Sequence, residues 1–225
     1  MFPFLFLIAL AIAPGLAIAI YIYWRDKFEK EPLKNLVICF LLGMVSIVPA
    51  ILLENLPEQL GFFSDRSSIT NTLLNAFVFV ALVEELSKYL FLRLYAYPMK
   101  VFSEPYDGIT YAVMISLGFA TVENIHYVIN GGWEAGIIRM FTAVPAHATF
   151  GVLMGFFTGL AKFRNHQTSY LILGLFSAIL MHGTYDFFII QQIVPGLYLG
   201  AFVSLIAGIW LSLIAIRIHT RKPKI

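Results

Sequence analysis

The sequence predicts an all-α, polytopic membrane protein with about seven transmembrane helices, its N-terminus outside and its C-terminus cytoplasmic. Hydrophobic residues make up 60% of the chain and charged residues only 12%, and the mean hydropathy is +0.83. A water-soluble domain would carry about 25% charged residues. The connections between the apolar stretches are too short for a separate soluble domain, so we expect a single transmembrane domain over residues 1–225.

Each predicted span is close to the roughly 20 residues that cross a bilayer. The spans are residues 2–24, 33–53, 69–96, 107–130, 137–161, 169–191 and 197–216. The first lacks the basic segment and cleavage site of a signal peptide, and it ends in Tyr21, Tyr23 and Trp24, which are typical of a membrane interface. We therefore expect it to remain in the protein as a helix.

The orientation follows from the basic residues, which collect beside alternate ends of the spans as the positive-inside bias requires. Only Arg66 and Arg139 fall on the side assigned to the exterior. The other side carries Arg25, Lys27, Lys30, Lys34, Arg93, Lys100, Lys162, Arg164, Arg217, Arg221, Lys222 and Lys224. A missed or added span would invert every later loop and destroy this agreement.

The third span contains two adjacent acids, Glu84 and Glu85, followed by Lys88. An ionised carboxylate at the bilayer centre costs at least about 2.5–3.5 kcal/mol, so the pair requires a polar cavity, a partner or a proton. Glu84 and Lys88 are four residues apart and share a helix face, which favours an ion pair. Pairing with Lys88 alone would leave Glu85 unexplained, so we expect Glu85 to be the better candidate for direct chemistry and this span to be part of a functional site.

The next three spans carry most of the other intramembrane polar residues. They are Glu123, Asn124 and His126 in the fourth span, Arg139 and His147 in the fifth, and His182 and Asp186 in the sixth. At about 1.5 Å per residue, the acids and imidazoles reach one band between the midplane and the outer leaflet. We expect His182 and Asp186 to face one cavity, and Gly183 to allow a neighbouring helix to approach closely.

Such a set of side chains is suited to the activation of water. Two histidines with carboxylates can bind a divalent metal such as zinc, and the candidate ligands are Glu123, His147, His182 and Asp186. Asp186 would either bind the metal or only orient His182. Without a metal, a glutamate could polarise the water while a histidine supplies protons. Both mechanisms stay open.

Several short motifs appear in a fixed order through the chain. They are Ala13-Pro-Gly, Arg25-Asp26 to Glu31-Pro32, Glu84-Glu85-Leu-Ser-Lys88, Tyr106-Asp-Gly-Ile-Thr-Tyr111, Leu117-Gly-Phe-Ala-Thr-Val-Glu-Asn124, Pro145-Ala-His-Ala148 and His182-Gly-Thr-Tyr-Asp186. In this order they resemble the PrsW-type intramembrane proteases, relatives of the CAAX-processing membrane endopeptidases. The wider superfamily often has histidine in place of Glu123 and a Glu-Glu-x-x-x-Arg motif in place of the one ending at Lys88.

The resemblance implies a protease of the bacterial cytoplasmic membrane that cuts a single-span membrane protein near its extracytoplasmic side. The family's known substrate is an anti-sigma factor in a stress response. Its essential residues fall on Glu84, Glu85 and His182, and its second motif runs from Phe119 to Glu123. We expect the catalytic helices to lie approximately within residues 69–191.

Two other functions are compatible with the same intramembrane residues. An ion- or proton-coupled transporter would also bury acids and histidines in the membrane, and a silent scaffold is a third possibility. We expect membrane lipids but no nucleic acid as partners. Cys39 is expected to be a packed small hydrophobe and Asp107 a helix N-cap. Arg139 is expected to reach out to the interface, with binding of a substrate carbonyl or a lipid headgroup as the alternative.

Overall fold

The computed structural model describes residues 4–26, 29–54, 59, 68–191 and 193–220, and within these ranges all regular structure is helical. The helices are α1 (Phe4–Arg25), α2 (Leu33–Glu54), α3 (Ile69–Ala96), α4 (Pro105–Phe141), α5 (Ala143–Phe163), α6 (Gln167–Ile190) and α7 (Leu199–His219). The predicted all-α membrane architecture is confirmed. Residues 2–3 of the first predicted span, and Lys27, Arg66, Arg221, Lys222 and Lys224 of the orientation argument, lie outside the described residues.

Six helical runs among the described residues are long and apolar enough to cross a membrane. One of them, Pro105–Phe163, combines α4 and α5, which are separated only by Thr142. The count of seven crossings and the direction of the termini therefore stay predictions. The apolar surface of the helices suits lipid contact, since side chains such as Leu94 and Trp210 are exposed.

The helix α3 changes its winding on both sides of the acidic pair. Asn75–Ala81 and Leu92–Ala96 are π-helical, whereas Leu82–Phe91 between them is α-helical. π-Helical turns are rare and are frequently found at functional sites. The α-helical segment places Glu84, Glu85 and Lys88 on its buried side.

The helix α4 reverses direction at Gly132, where the backbone has a φ of 73° and a ψ of −166°. Only glycine adopts this combination readily. Arg139 donates to the Asn124 side chain at 2.9 Å, although 15 residues of straight helix would separate them by about 22 Å. The predicted loop at residues 131–136 is thus a kink inside helical chain, and α5 begins at Ala143 rather than at residue 137.

The first half of α4 is the centre of the fold, and its residues from Tyr106 to Thr121 are buried. Glycines allow its neighbours to approach backbone to backbone. A Cβ at Gly155 of α5 would lie 2.3 Å from the carbonyl oxygen of Gly108, and one at Gly118 would lie 1.9 Å from that of Phe40 in α2. Small residues at such crossings drive helix association in membranes.

The start of α4 corrects one expectation. Its N-cap is Glu104, and Asp107 lies one turn inside the helix. The Asp107 carboxylate accepts the backbone N–H groups of Ser103 at 2.7 Å and Glu104 at 2.9 Å. The prediction of Asp107 as the N-cap was therefore wrong by three positions, although the residue does satisfy free N–H groups at the helix end.

Candidate active site

Three side chains of α3 form one buried ionic group. Lys88 Nζ donates to Glu84 Oε2 at 2.9 Å and to Glu85 Oε1 at 2.8 Å. The exposed fractions are 5% for Glu84, 0% for Glu85 and 1% for Lys88. The Lys88 ammonium also lies 3.9 Å from the centre of the Phe119 ring, a favourable cation–π distance. The predicted pairing of Glu84 with Lys88 is confirmed, and Glu85 is bound by the same lysine.

Two histidines from α5 and α6 complete the centre of the site. The rings of His147 and His182 have centroids 5.3 Å apart and are nearly perpendicular. His182 Nδ1 faces Glu85 Oε1 at 2.8 Å, and His147 Nδ1 faces Lys88 Nζ at 3.2 Å. Phe150 stacks on His182 with centroids 4.5 Å apart, so the imidazole is held from its face as well as from its edge.

The far nitrogen of each histidine contacts a further carboxylate. His147 Nε2 lies 2.7 Å from Glu123 Oε2, and His182 Nε2 lies 3.1 Å from Asp186 Oδ2. A carboxylate on the second ring nitrogen fixes the orientation of a histidine and makes it a stronger ligand or base. Glu123 and Asp186 therefore contact the outer edges of the histidines.

Four of these residues have the chemistry and spacing of a metal site. Glu84, Glu85, His147 and His182 each offer one donor atom, and the four atoms lie within 4.8 Å of one another. Two imidazoles with carboxylates suit zinc, and Glu85 Oε2 is buried without a hydrogen-bond partner. The residues therefore fit a divalent metal. This compact group contains His147 and His182 from the predicted ligands, but it has Glu84 and Glu85 where the prediction had Glu123 and Asp186.

A cavity of about 420 Å³ opens beside the four-residue group. Its polar lining consists mainly of Glu84, Glu123, Arg139, His147, His182 and Asp186, and its other walls include Val80, Ile189 and Ile190. Glu85 does not line it. The cavity thus combines space for water, titratable groups and an apolar wall.

Sequence reasoning missed the part that Arg139 takes in this site. Its guanidinium contacts Glu123 Oε2 at 2.8 Å and lies 4.0 Å from the centre of the Tyr127 ring. The expectation that Arg139 reaches out to the interface is therefore wrong. The reversal at Gly132 turns this side chain back to the cavity, and nothing in the local sequence indicates such a reversal except the Gly131-Gly132 pair.

Acidic residues also meet at the other end of α4, away from the cavity. Glu31 is 4% exposed and is hydrogen-bonded by the Tyr111 hydroxyl. Burial raises the pKa of Glu31 to about 8, and burial together with Asp107 raises the pKa of Glu104 to about 7. These groups lie between helices at the end of the fold, and we assign them no catalytic part.

The protein has several membrane-spanning helices, and buried carboxylates and histidines line a cavity between them. These features are typical of an intramembrane hydrolase. The comparison with known families agrees with this class. The family model described as PrsW family intramembrane metalloprotease matches residues 31–213, and the chain belongs to that family. It is accordingly a protease and a multi-pass protein of the bacterial cell membrane.

Three relatives, each named Protease PrsW, illustrate the similarity. The protein of Geobacillus kaustophilus is 35% identical over 88% of this chain and 85% of its own length. The protein of Bacillus subtilis is 36% identical over 80% and 81%, and that of Clostridioides difficile is 37% identical over 83% and 80%. No solved structure matches the chain significantly.

Proposed function

We propose that the chain is an intramembrane endopeptidase that cuts a single-span membrane protein near its extracytoplasmic side, with an anti-sigma factor as the substrate. The observation that carries the proposal is the cavity of about 420 Å³, whose lining includes Glu84, His147 and His182 together with aliphatic side chains. The aliphatic wall suits a transmembrane peptide, and the polar side supplies what hydrolysis requires.

Glu84 is proposed as the general base. It is the member of the acidic pair that lines the cavity, so a water molecule in the cavity can reach its carboxylate. A base must lie within hydrogen-bond reach of the proton that it removes. Glu85 acts behind it, because its Oε1 atom holds both Lys88 and His182 in place.

His182 is proposed as the proton donor to the leaving amine. Both of its ring nitrogens face carboxylate oxygens, at 2.8 Å for Glu85 and 3.1 Å for Asp186. Its ring also lines the cavity, and the stacked ring of Phe150 restricts its motion. A proton can therefore pass from the histidine to the substrate without a large movement of the ring.

A metal-dependent mechanism is the alternative form of the proposal, with Glu84, Glu85, His147 and His182 as the ligands and zinc as the expected ion. In that form Glu84 and His182 bind the ion instead of acting as free base and proton donor. When bound, such an ion polarises the scissile carbonyl and lowers the pKa of a bound water. Glu123 and Asp186 then orient the two histidines. Elemental analysis of purified protein tests this, since stoichiometric zinc that is lost in both His147→Ala and His182→Ala supports it. Activity that resists chelators, in protein without metal, contradicts it.

Cleavage itself is tested in liposomes with a single-span substrate whose extracytoplasmic part is labelled. We expect Glu84→Gln, Glu85→Gln and His182→Ala each to abolish the labelled fragment, and Asp186→Ala to slow its release less than His182→Ala. Glu134→Gln is the matched control, because Glu134 is an exposed glutamate of α4. Full cleavage by Glu84→Gln would remove Glu84 from the role of base.

A further inference from the structure

Lys88 occupies the centre of the group of metal donors. Its Nζ atom lies 2.9 Å from Glu84 Oε2, 2.8 Å from Glu85 Oε1 and 3.2 Å from His147 Nδ1. Three of the four residues that could bind a metal therefore already bind one ammonium group. Since the side chain is 1% exposed, solvent does not compete for these contacts.

The lysine also decides which nitrogen of His147 carries the proton. A lysine ammonium only donates hydrogen bonds, so His147 Nδ1 is the acceptor in this contact. His147 Nε2 then carries the proton and donates a hydrogen bond to Glu123 Oε2 at 2.7 Å. Both nitrogens are thus engaged, and the Nδ1 lone pair that a metal would need is directed at Lys88.

We propose that Lys88 and the metal compete for one position, so that the ammonium group weakens metal binding and has to withdraw when a metal binds. The inference rests on the proposed metal dependence. A divalent ion held by Glu84, Glu85 and His147 would need the donor atoms that now contact Nζ, and two cations that shared those contacts would repel each other strongly in a buried site. The lysine side chain has a flexible four-carbon stem, so its ammonium group can move away from these donors.

Competition makes Lys88 a residue that controls metal affinity without being a ligand. Removing its charge should free the carboxylates and the Nδ1 lone pair together. An arginine keeps the positive charge in nearly the same place, so Lys88→Arg should weaken metal binding as the lysine does. If the role of Lys88 were purely structural, both substitutions would affect folding, but the two variants would not differ in metal affinity.

The test uses the whole protein in detergent micelles, with Co²⁺ as the probe and its visible absorption as the readout of binding. Variants are Lys88→Met and Lys88→Arg, with Lys34→Met as a control because Lys34 is an exposed lysine of α2. We expect Lys88→Met to bind Co²⁺ at least about tenfold more tightly than the unaltered protein, which is about 1.4 kcal/mol. Lys88→Arg and Lys34→Met should bind as weakly as the unaltered protein.

Equal Co²⁺ affinity in Lys88→Met and the unaltered protein, with helical circular dichroism intact in both, overturns the inference. If Lys88→Met does not fold, tighter binding by Lys88→Arg than by the unaltered protein overturns it as well. Absence of Co²⁺ binding in every variant also overturns the competition. That outcome leaves the proposed protease to be judged by fragment release in liposomes, so the two failures are distinguishable.

Discussion

The contrast between Glu84→Gln and Glu85→Gln tests how the acidic pair is built. Glu85 Oε1 accepts two hydrogen bonds, from Lys88 and His182, whereas Glu84 accepts one, from Lys88. A hydrogen bond to a charged group contributes about 1.5–3 kcal/mol and a neutral one about 0.5–1.5 kcal/mol. Each substitution removes one of the two negative charges that face the Lys88 ammonium, whose own charge remains. Glu85→Gln also removes the carboxylate charge from the bond with His182, which should cost about 1–1.5 kcal/mol beyond the cost of Glu84→Gln.

The assay is equilibrium unfolding of purified protein in mixed micelles, followed by far-UV circular dichroism, with Glu134→Gln as the control. Both substitutions should abolish proteolysis, but Glu85→Gln should lower the free energy of unfolding by about 1–1.5 kcal/mol more than Glu84→Gln. The control should change neither property. If Glu84→Gln destabilises the fold as much as Glu85→Gln, the assignment of Glu85 as the residue that holds Lys88 and His182 is wrong.

Three further expectations concern packing, substrate access and pH. Gly155→Ala should destabilise the protein by about 1–3 kcal/mol in the same unfolding assay, because the added Cβ would lie 2.3 Å from the Gly108 carbonyl oxygen. Gly15→Ala should cost less, because its Cβ would meet only the Thr121 hydroxyl, at 3.0 Å. An equal cost for both substitutions would contradict the packing argument. Arg139→Met removes a group that contacts Glu123 at the cavity, so the rate of cleavage should fall while bound metal, measured by elemental analysis, stays stoichiometric; loss of the metal would show that Arg139 supports the donors themselves. Burial raises the pKa of Glu31 from 4.5 to about 8, so the folded state favours the protonated carboxyl group. The free energy of unfolding should therefore fall as the pH rises from about 4.5 to about 8. Glu31→Gln should make this pH dependence weaker in unfolding measurements, and an unchanged slope would contradict the assignment to Glu31.

The sequence was a good guide to the helices and to the identity of the polar cluster. Composition and the length of the apolar stretches predicted membrane helices, because lipid leaves few alternatives for the backbone. Four-residue spacing predicted the contacts of Glu84 with Lys88 and of His182 with Asp186, which lie within single helices. Gly183 was expected to admit a close neighbour, and a Cβ there would lie 2.4 Å from the Phe77 ring.

Contacts between different helices could not be predicted from the sequence, because the spacing of residues within one helix does not determine how that helix is rotated against its neighbours. The sequence gives no reason why Glu123 should contact His147 while Glu84 and Glu85 supply the inner carboxylates. The position of Arg139 depends on one glycine with a positive φ. The π-helical segments of α3 were likewise not predicted, because such turns are rare and these lie within one continuous span.

The altered winding of α3 determines where this helix can change in length. A π-helical turn bonds residue i to residue i+5 and so contains one residue more than an α-helical turn. Deleting one residue from Asn75–Ala81 can therefore be absorbed by a change to α-helical bonding, with little rotation of the preceding residues against Glu84. The same deletion within the α-helical Leu82–Phe91 would rotate the chain on its two sides by about 100° relative to each other. Insertions and deletions are usually tolerated in surface loops, but here the π-helical stretch supplies a place inside a membrane helix where one residue can be lost.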